Sequence, residues 1–329
     1  MSVIKNGTAE STLTVYVPGL FAGLRWPASW PRGLARLLAR ADQISLQDEG
    51  FTERTLALFG LPKETGLAAL ARLGDGGSSD DRWWVRCDPV HLAVDGDRLL
   101  LLDNDSLALD ALEAERLSVL VGSLFVDDGG VMEPRAPTRW YLTLPHPEPL
   151  LTTPMAEVAG RNVDPYLPTG NTRYWRTRLN EVQMLMHQAL PGSHGGEALR
   201  QHANSVWLWG SGYAGRPASP VFAQVYTDDA LVRGAAQLTQ TQVQPLPVDP
   251  SPLTGAALVV LRGAQGPLQY GDTEAWLAFL SEWTDRWLWP LIQDMKRGAF
   301  AEIRILGDRG PLYRLRRLDM WRIWRGWRL

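Results

Sequence analysis

Apolar and polar positions along the chain switch between a period of two and a period of about 3.6 residues, and the switches predict an alternation of strands and helices. Residues 13–17, Leu-Thr-Val-Tyr-Val, are alternating and β-branched, and predict a strand broken by Pro18-Gly19. Residues 34–41 predict a helix of small and apolar side chains. Residues 55–61, stopped by Gly60 and Pro62, and residues 66–73 predict two more short helices. The polar loop 74–81 is the first boundary signal. Beyond it, runs at 83–92, 98–102 and 139–144 predict strands, with a helix over 108–125 between the second and third. That order predicts an α+β module with helices on one face.

Residues 145–170 are rich in Pro, Thr and Gly and predict an extended loop. A helix follows over 174–188, with Trp175, Leu179, Val182 and Met186 on its apolar face. The glycine-rich residues 191–196 end it and supply a second boundary. The last third returns to α/β alternation: strands at 205–209, 221–226, 256–261 and 301–306, a proline-rich loop at 245–252, and a helix over 273–296. That helix is apolar on more than one side (Trp276, Phe279, Leu280, Trp283, Trp287, Leu291), which predicts burial. The expected organisation is an α/β core formed by residues 1–83 and 201–329, with an α+β module inserted over residues 84–200.

Composition narrows the function classes. The 329 residues, 45% of them hydrophobic, suffice for a large core, and a net charge of −3 gives no global field favouring nucleic acid or membrane. No apolar run approaches the roughly 18–20 residues that span a bilayer. Residues 1–11 lack the apolar segment of a signal peptide. The single Cys87 excludes an internal disulfide and a multi-cysteine metal cluster. Together these predict a cytoplasmic location and no transmembrane segment. The positive charge is almost all arginine, the only lysines being Lys5, Lys63 and Lys296. A genomic composition bias and recognition of phosphate or carboxylate by planar forks both fit that excess.

The most informative stretch is Asn204-Ser-Val-Trp-Leu-Trp-Gly-Ser-Gly212. It predicts a strand running into a glycine turn, and in an open α/β sheet ligands bind at the carboxyl ends of strands. The run resembles the Asn-x-(Ile/Val)-Trp-x-Trp-Gly-x-Gly segment of the archaeal-type cofactor-independent phosphoglycerate mutases, members of the alkaline-phosphatase superfamily. The resemblance implies an α/β fold: an alkaline-phosphatase-like core sheet with helices on both faces, plus the inserted α+β module. In that family two divalent metals and a phosphoryl-carrying serine do the chemistry.

At the landmarks that match, the chemical residues differ. Pro18 stands where the first strand should end in a metal-binding Asp, and Phe51 stands in the serine's place, with Thr52 the nearest hydroxyl. Ala156 stands where a His-Asp pair should begin; Gln265 and Gln269 replace the Asp-x-x-x-His pair; Asp308-Arg309 replaces an Asp-His pair. Of the metal-ligand positions only Asp308 keeps a suitable donor, and a neutral amide is a poor substitute for carboxylate or imidazole. A second resemblance is to the RpfE-type bacterial regulatory proteins, through Arg86-Cys-Asp-Pro-Val-His-Leu92, Gly160-Arg-Asn-Val-Asp-Pro165, Leu179-Asn-Glu-Val-Gln-Met184 and the Trp-Leu-Trp-Gly run.

These resemblances imply a catalytically silent regulatory protein. No metal site and no cofactor are expected. Arg161, Asn162, Asp164, Asn204, Gly210, Gly212 and Arg309 are the candidate ligand-binding residues, for a small phosphorylated or carboxylate metabolite. Arg161 joined to Arg86 or Arg139 would make an anion clamp; an Asx-bonded turn explains the same run. The alternative is an active mutase or phosphotransferase with divalent metal, using Thr52 and Asp308 and drawing on His91, His187 or His202. A third reading is a partner-protein surface built from Trp321, Trp324 and Trp327, each followed by arginine (Arg322, Arg325, Arg328). The same segment would otherwise pack its Trp face on the core with the arginine heads in water.

Overall fold

The computed structural model describes residues 11–21, 31–102, 107, 109–189, 202–251 and 253–322. Its elements run β1 (Thr12–Tyr16), α1 (Arg32–Arg40), β2 (Asp42–Ile44), α2 (Phe51–Phe59), α3 (Leu67–Gly74), β3 (Trp84–Asp95), β4 (Arg98–Leu102), α4 (Ala111–Ser123), β5 (Val131–Ala136), β6 (Arg139–Thr143), β7 (Leu150–Leu151), α5 (Met155–Val158), β8 (Thr169–Gly170), α6 (Thr172–Ala189) and β9 (Ser205–Gly212). They continue through β10 (Gln224–Tyr226), α7 (Ala230–Leu238), β11 (Gln242–Gln244), β12 (Ala257–Val260), α8 (Gln265–Gln269), α9 (Thr273–Trp283), α10 (Trp289–Arg297), β13 (Glu302–Leu306) and β14 (Leu312–Arg316). The chain forms two compact units: Met1–Lys63 with Pro217–Leu329, and Glu64–Arg216.

The first unit is an α/β layer structure around a seven-stranded sheet ordered β11-β10-β12-β1-β13-β14-β2. Strands β11, β10, β12, β1 and β13 are parallel, and at one edge β14 pairs antiparallel with both β13 and β2. Every residue of β1 and β12 is buried, as expected for parallel strands covered on both faces. Leu13, Val15, Ile303 and Ile305 pack with α1, α9 and α10 through Leu34, Leu38, Trp276, Leu280 and Leu291. Tyr16, of opposite parity on β1, stacks on Phe51 of α2, with ring centroids 5.9 Å apart. Helices therefore cover both faces. The long helix predicted over 273–296 is α9 and α10 joined by a π turn at Thr284–Leu288, just ahead of Pro290, whose missing N–H disrupts regular helix bonding.

The second unit is an antiparallel sheet, β4-β3-β6-β5, with β9 also paired to β3. One face carries α4 and α6 on Val85, Cys87, Leu142, Val206 and Leu208. Val90, Leu101 and Trp207 pack instead with α5 and Val163. Strand β9 is thus a member of this antiparallel sheet, not of the parallel one. It pairs with β3 from Trp84↔Gly212 to Val90↔Ser205, with an irregularity between Trp84 and Arg86, and its glycine end abuts α3. Strands β5 and β14 were absent from the sequence expectation. Pro134 masks the first, and arginines alternate with apolar residues in the second.

Among the described residues, no helix is long and apolar enough to cross a membrane.

Candidate functional site

The carboxyl edge of the parallel strands gathers the residues that bear on chemistry in the first unit. Tyr16 is level with Val260 on β12 and Leu306 on β13, and Tyr226 is level with Val259. Residues just beyond these positions emerge along one edge: Pro18-Gly19, Arg262, Asp308 and Asp229. In open α/β sheets this edge is where ligands are held.

Its side chains are bonded to one another. Asp308 Oδ1 accepts from the Gly19 amide at 2.7 Å. Gly19 sits at φ +84°, and a Cβ there would lie 2.6 Å from Leu268 Cδ1, so the turn requires glycine. Asp229 caps α7 by accepting from the Val232 amide at 3.0 Å, and its other oxygen pairs with Arg262 Nη1 at 2.5 Å. Arg262 Nε donates to Gln265 Oε1 at 2.9 Å, and its guanidinium lies over the Phe51 ring, 4.8 Å from the centroid. Arg54, buried in the first turn of α2, pairs with Glu49 at 3.2 Å and donates to the Gln47 and Asp308 carbonyls. Tyr16 is fully buried, and its hydroxyl donates to the Phe51 carbonyl at 3.4 Å. Burial, followed by the nearby Asp308 carboxylate, holds its phenol well above the usual tyrosine value, as a neutral hydroxyl.

This donor set does not fit a pair of divalent cations. Among the described residues, no group of three or more His, Cys, Asp or Glu converges. Of the acids here, Asp308 accepts from a backbone amide, Asp229 pairs with Arg262, Glu49 pairs with Arg54 and Lys63, and Asp48 accepts from the Gly310 amide. Thr52 lies in the first turn of α2. It is 4% exposed, and its hydroxyl donates to Glu53 at 3.0 Å. Arg309 is exposed beside Asp308. Arg54, on α2, and Arg262, just after β12, were not among the residues that the sequence singled out, although Arg309 was. The position of Arg262, directly after the apolar run 256–261, was the available signal.

The other candidate ligand residues lie in the second unit and have structural roles there. Asn162 forms an Asx turn, accepting from the amides of Leu99 and Asp164 and donating to the Asp164 carboxylate. Arg161 is exposed, and its carbonyl accepts from the Leu101 amide. Arg86 pairs with Asp88 at 2.7 Å, and Arg139 with Asp75 at 2.7 Å. Asn204 clips β9 to β3 by bonding both the amide and the carbonyl of Leu92.

Gly210 and Gly212 are closely packed glycines. A Cβ on Gly210 would sit 2.9 Å from Leu67 Cβ, and one on Gly212 would sit 2.9 Å from Gly66 Cα. Their small size lets β9 meet the start of α3, and Gly66 N donates to the Tyr213 carbonyl at 2.7 Å. The expectation of a ligand turn assumed a parallel sheet around this strand, and its antiparallel pairing with β3 removes that premise.

The Arg86-Cys87-Asp88 run builds a buried network. Asp88 is completely buried and accepts from Arg86 Nε at 2.8 Å, Arg86 Nη2 at 2.7 Å, Trp209 Nε1 at 2.8 Å and the Trp140 amide at 3.2 Å. Arg86 also lies 5.0 Å from the rings of Tyr141 and Trp209. His91 and His202 meet ring to backbone, His91 Nδ1 lying 2.8 Å from the His202 carbonyl. His187 is exposed near the end of α6, apart from these contacts.

At the C-terminal side, Trp321 is 74% exposed and Leu318 80% exposed, whereas Met320 packs against the core of the first unit. Asp319 is buried, accepts from the Arg316 amide and pairs with Arg322. Trp324 and Trp327, with Arg325 and Arg328, lie outside the described residues.

No family model matches the chain, and no curated protein matches it. Two solved structures are similar across most of its length. A cofactor-independent phosphoglycerate mutase from Thermoplasma acidophilum is 15% identical, covers 93% of this chain and 90% of its own, and gives a TM-score of 0.43. The PH0037 protein from Pyrococcus horikoshii is 12% identical, with 93% of this chain and 87% of that chain covered and a TM-score of 0.52. The second likeness is one of fold.

Proposed function

We propose that this chain is a non-catalytic regulatory protein, cytoplasmic and of the RpfE type, built on a phosphoglycerate-mutase-like scaffold. One observation carries the reading. At the carboxyl edge of the core sheet, where phosphoryl chemistry needs a nucleophile and metal donors, the chain has Pro18, a ring-stacked Phe51, a Gln265 bonded to Arg262, and an Asp308 bonded to a backbone amide. Nothing in that set lowers the pKa of a hydroxyl or of water. The alternative, an active mutase on Thr52 and Asp308, would have to expose a hydroxyl that is buried and bonded to Glu53. Metal analysis of the purified protein, with a coupled mutase assay, separates the two. Near-stoichiometric manganese or zinc together with turnover would remove the regulatory reading.

How such a protein acts is favoured by a second observation. The exposure of Leu318 and Trp321 beside Arg317 and Arg322 supports contact with a partner protein, since Trp and Arg anchor interfaces. Binding of a small anion through Arg309 is the competing mode. Trp321→Ala should leave the melting temperature unchanged and weaken partner capture. A variant that unfolds would instead mean that the segment is core.

A further inference from the structure

The two faces of α4 differ sharply. Ala114, Leu117 and Val121 pack into the core of the second unit. The opposite face carries Leu112, 77% exposed, and Val119, 68% exposed. Seven residues come close to two full helical turns, so Leu112 and Val119 lie on one line along the helix. Glu115 and Arg116 are exposed on either side of that line. At successive positions of a helix their side chains do not face each other. Among the described residues neither has an ion-pair partner. Val126, 64% exposed, follows just past the helix end. Single exposed apolar side chains are ordinary, but an aligned set flanked by two unpaired opposite charges has the form of a contact surface.

We infer that this face of α4 binds a second copy of the chain, with the two helices side by side and running in the same direction. The charges decide both the occupant and the direction. A two-fold axis along the helices carries the Glu115 flank of one copy to the Arg116 flank of the other, so each Glu115 meets the Arg116 of its partner and two ion pairs form. Leu112 then meets Leu112, and Val119 meets Val119. Helices running in opposite directions would set each flank against its own copy, Glu115 to Glu115 and Arg116 to Arg116, which repels. The 13 residues of α4 make a helix about 20 Å long. A patch of that length is at the small end of specific interfaces, so the dimer should dissociate on dilution. The inference goes beyond the regulatory reading and is independent of it.

Sedimentation of the full-length protein from about 1 to about 200 µM tests it. The wild-type mass should rise from one chain towards two. Glu115→Arg alone, or Arg116→Glu alone, sets like charges against each other and should weaken association by about tenfold or more. The double variant Glu115→Arg with Arg116→Glu exchanges the flanks and should return to wild-type association. Val119→Asp should leave single chains throughout. These side chains are exposed, so each variant should melt near the wild-type temperature; if a charge variant fails to fold, Val119→Asp carries the test alone. A wild-type protein that is one chain at every concentration overturns the inference. So do single charge variants or a Val119→Asp variant that associate as wild type does, and a double variant that stays as weak as the singles.

Discussion

Replacing Asp88 by alanine is the sharpest test of what the Arg86-Cys87-Asp88 run is for. The carboxylate is completely buried and accepts four hydrogen bonds, two from Arg86 and one each from the Trp209 indole and the Trp140 amide. Deleting it leaves the Arg86 guanidinium, 6% exposed, without a counter-charge. Breaking a buried pair from one side costs about 3–5 kcal/mol. The Tyr141 hydroxyl, 3.4 Å from Arg86 Nη1, and the two flanking rings offset only part of that loss. Total stability for a chain of this kind is of order 5–15 kcal/mol, so the variant should remain folded but unfold at much lower urea. Adding Arg86→Met to Asp88→Leu removes the stranded charge. It should recover part of the loss and leave about 2 kcal/mol, from the indole and amide that no longer have an acceptor. Urea denaturation followed by tryptophan fluorescence measures all three proteins. If Asp88→Ala falls within 1 kcal/mol of wild type, roughly the scale of an ordinary hydrogen bond, the network is not structural and the run needs a ligand to explain it.

Two further outcomes follow from the second unit. Asp75 accepts from Arg139 and from the Tyr141 hydroxyl; burial opposes its charge, but these bonds outweigh burial and hold its pKa below the usual carboxylate value. Its contribution to stability is therefore present above the unfolded value near 3.9 and is lost as pH falls through the lower folded value. The stability difference between wild type and Asp75→Asn should be flat from about pH 7 to 5 and shrink below about pH 4; a difference that grows on acidification would contradict the assignment. Gly66→Ala would place a Cβ 2.3 Å from the Gly212 carbonyl carbon, against backbone that cannot swing aside. It should cost about 1–3 kcal/mol in urea denaturation, and a neutral result would show that α3 and β9 are not in that contact.

Much of the fold was legible in the sequence because it is written in local patterns. The β-branched run ending at Pro18, the apolar runs before Arg262 and before Asp308, and the apolar helix around Trp283 each declared themselves through period and breakers. Strand pairing is not local, and there the reading failed. The residues of β9 are as apolar as those of a parallel strand, and only their pairing with β3 shows which sheet they join. The glycines of that strand suggested a ligand turn, and their close packing against α3 was not legible. At the candidate site, the missing donors at Pro18, Phe51 and Gln265 were visible one by one. The counter-cations were not, since Arg54 and Arg262 lie far apart in sequence and become neighbours of Asp308 and Asp229 only through the strand order.

The central claim is settled most directly by weighing metal against activity in one preparation. Purified full-length protein, incubated with excess manganese and then desalted, should retain far less than one ion per chain and convert no 3-phosphoglycerate to 2-phosphoglycerate. Two tightly held ions per chain with measurable conversion would show that the edge around Asp308 and Asp229 is a working metal centre, and the account given above would be wrong.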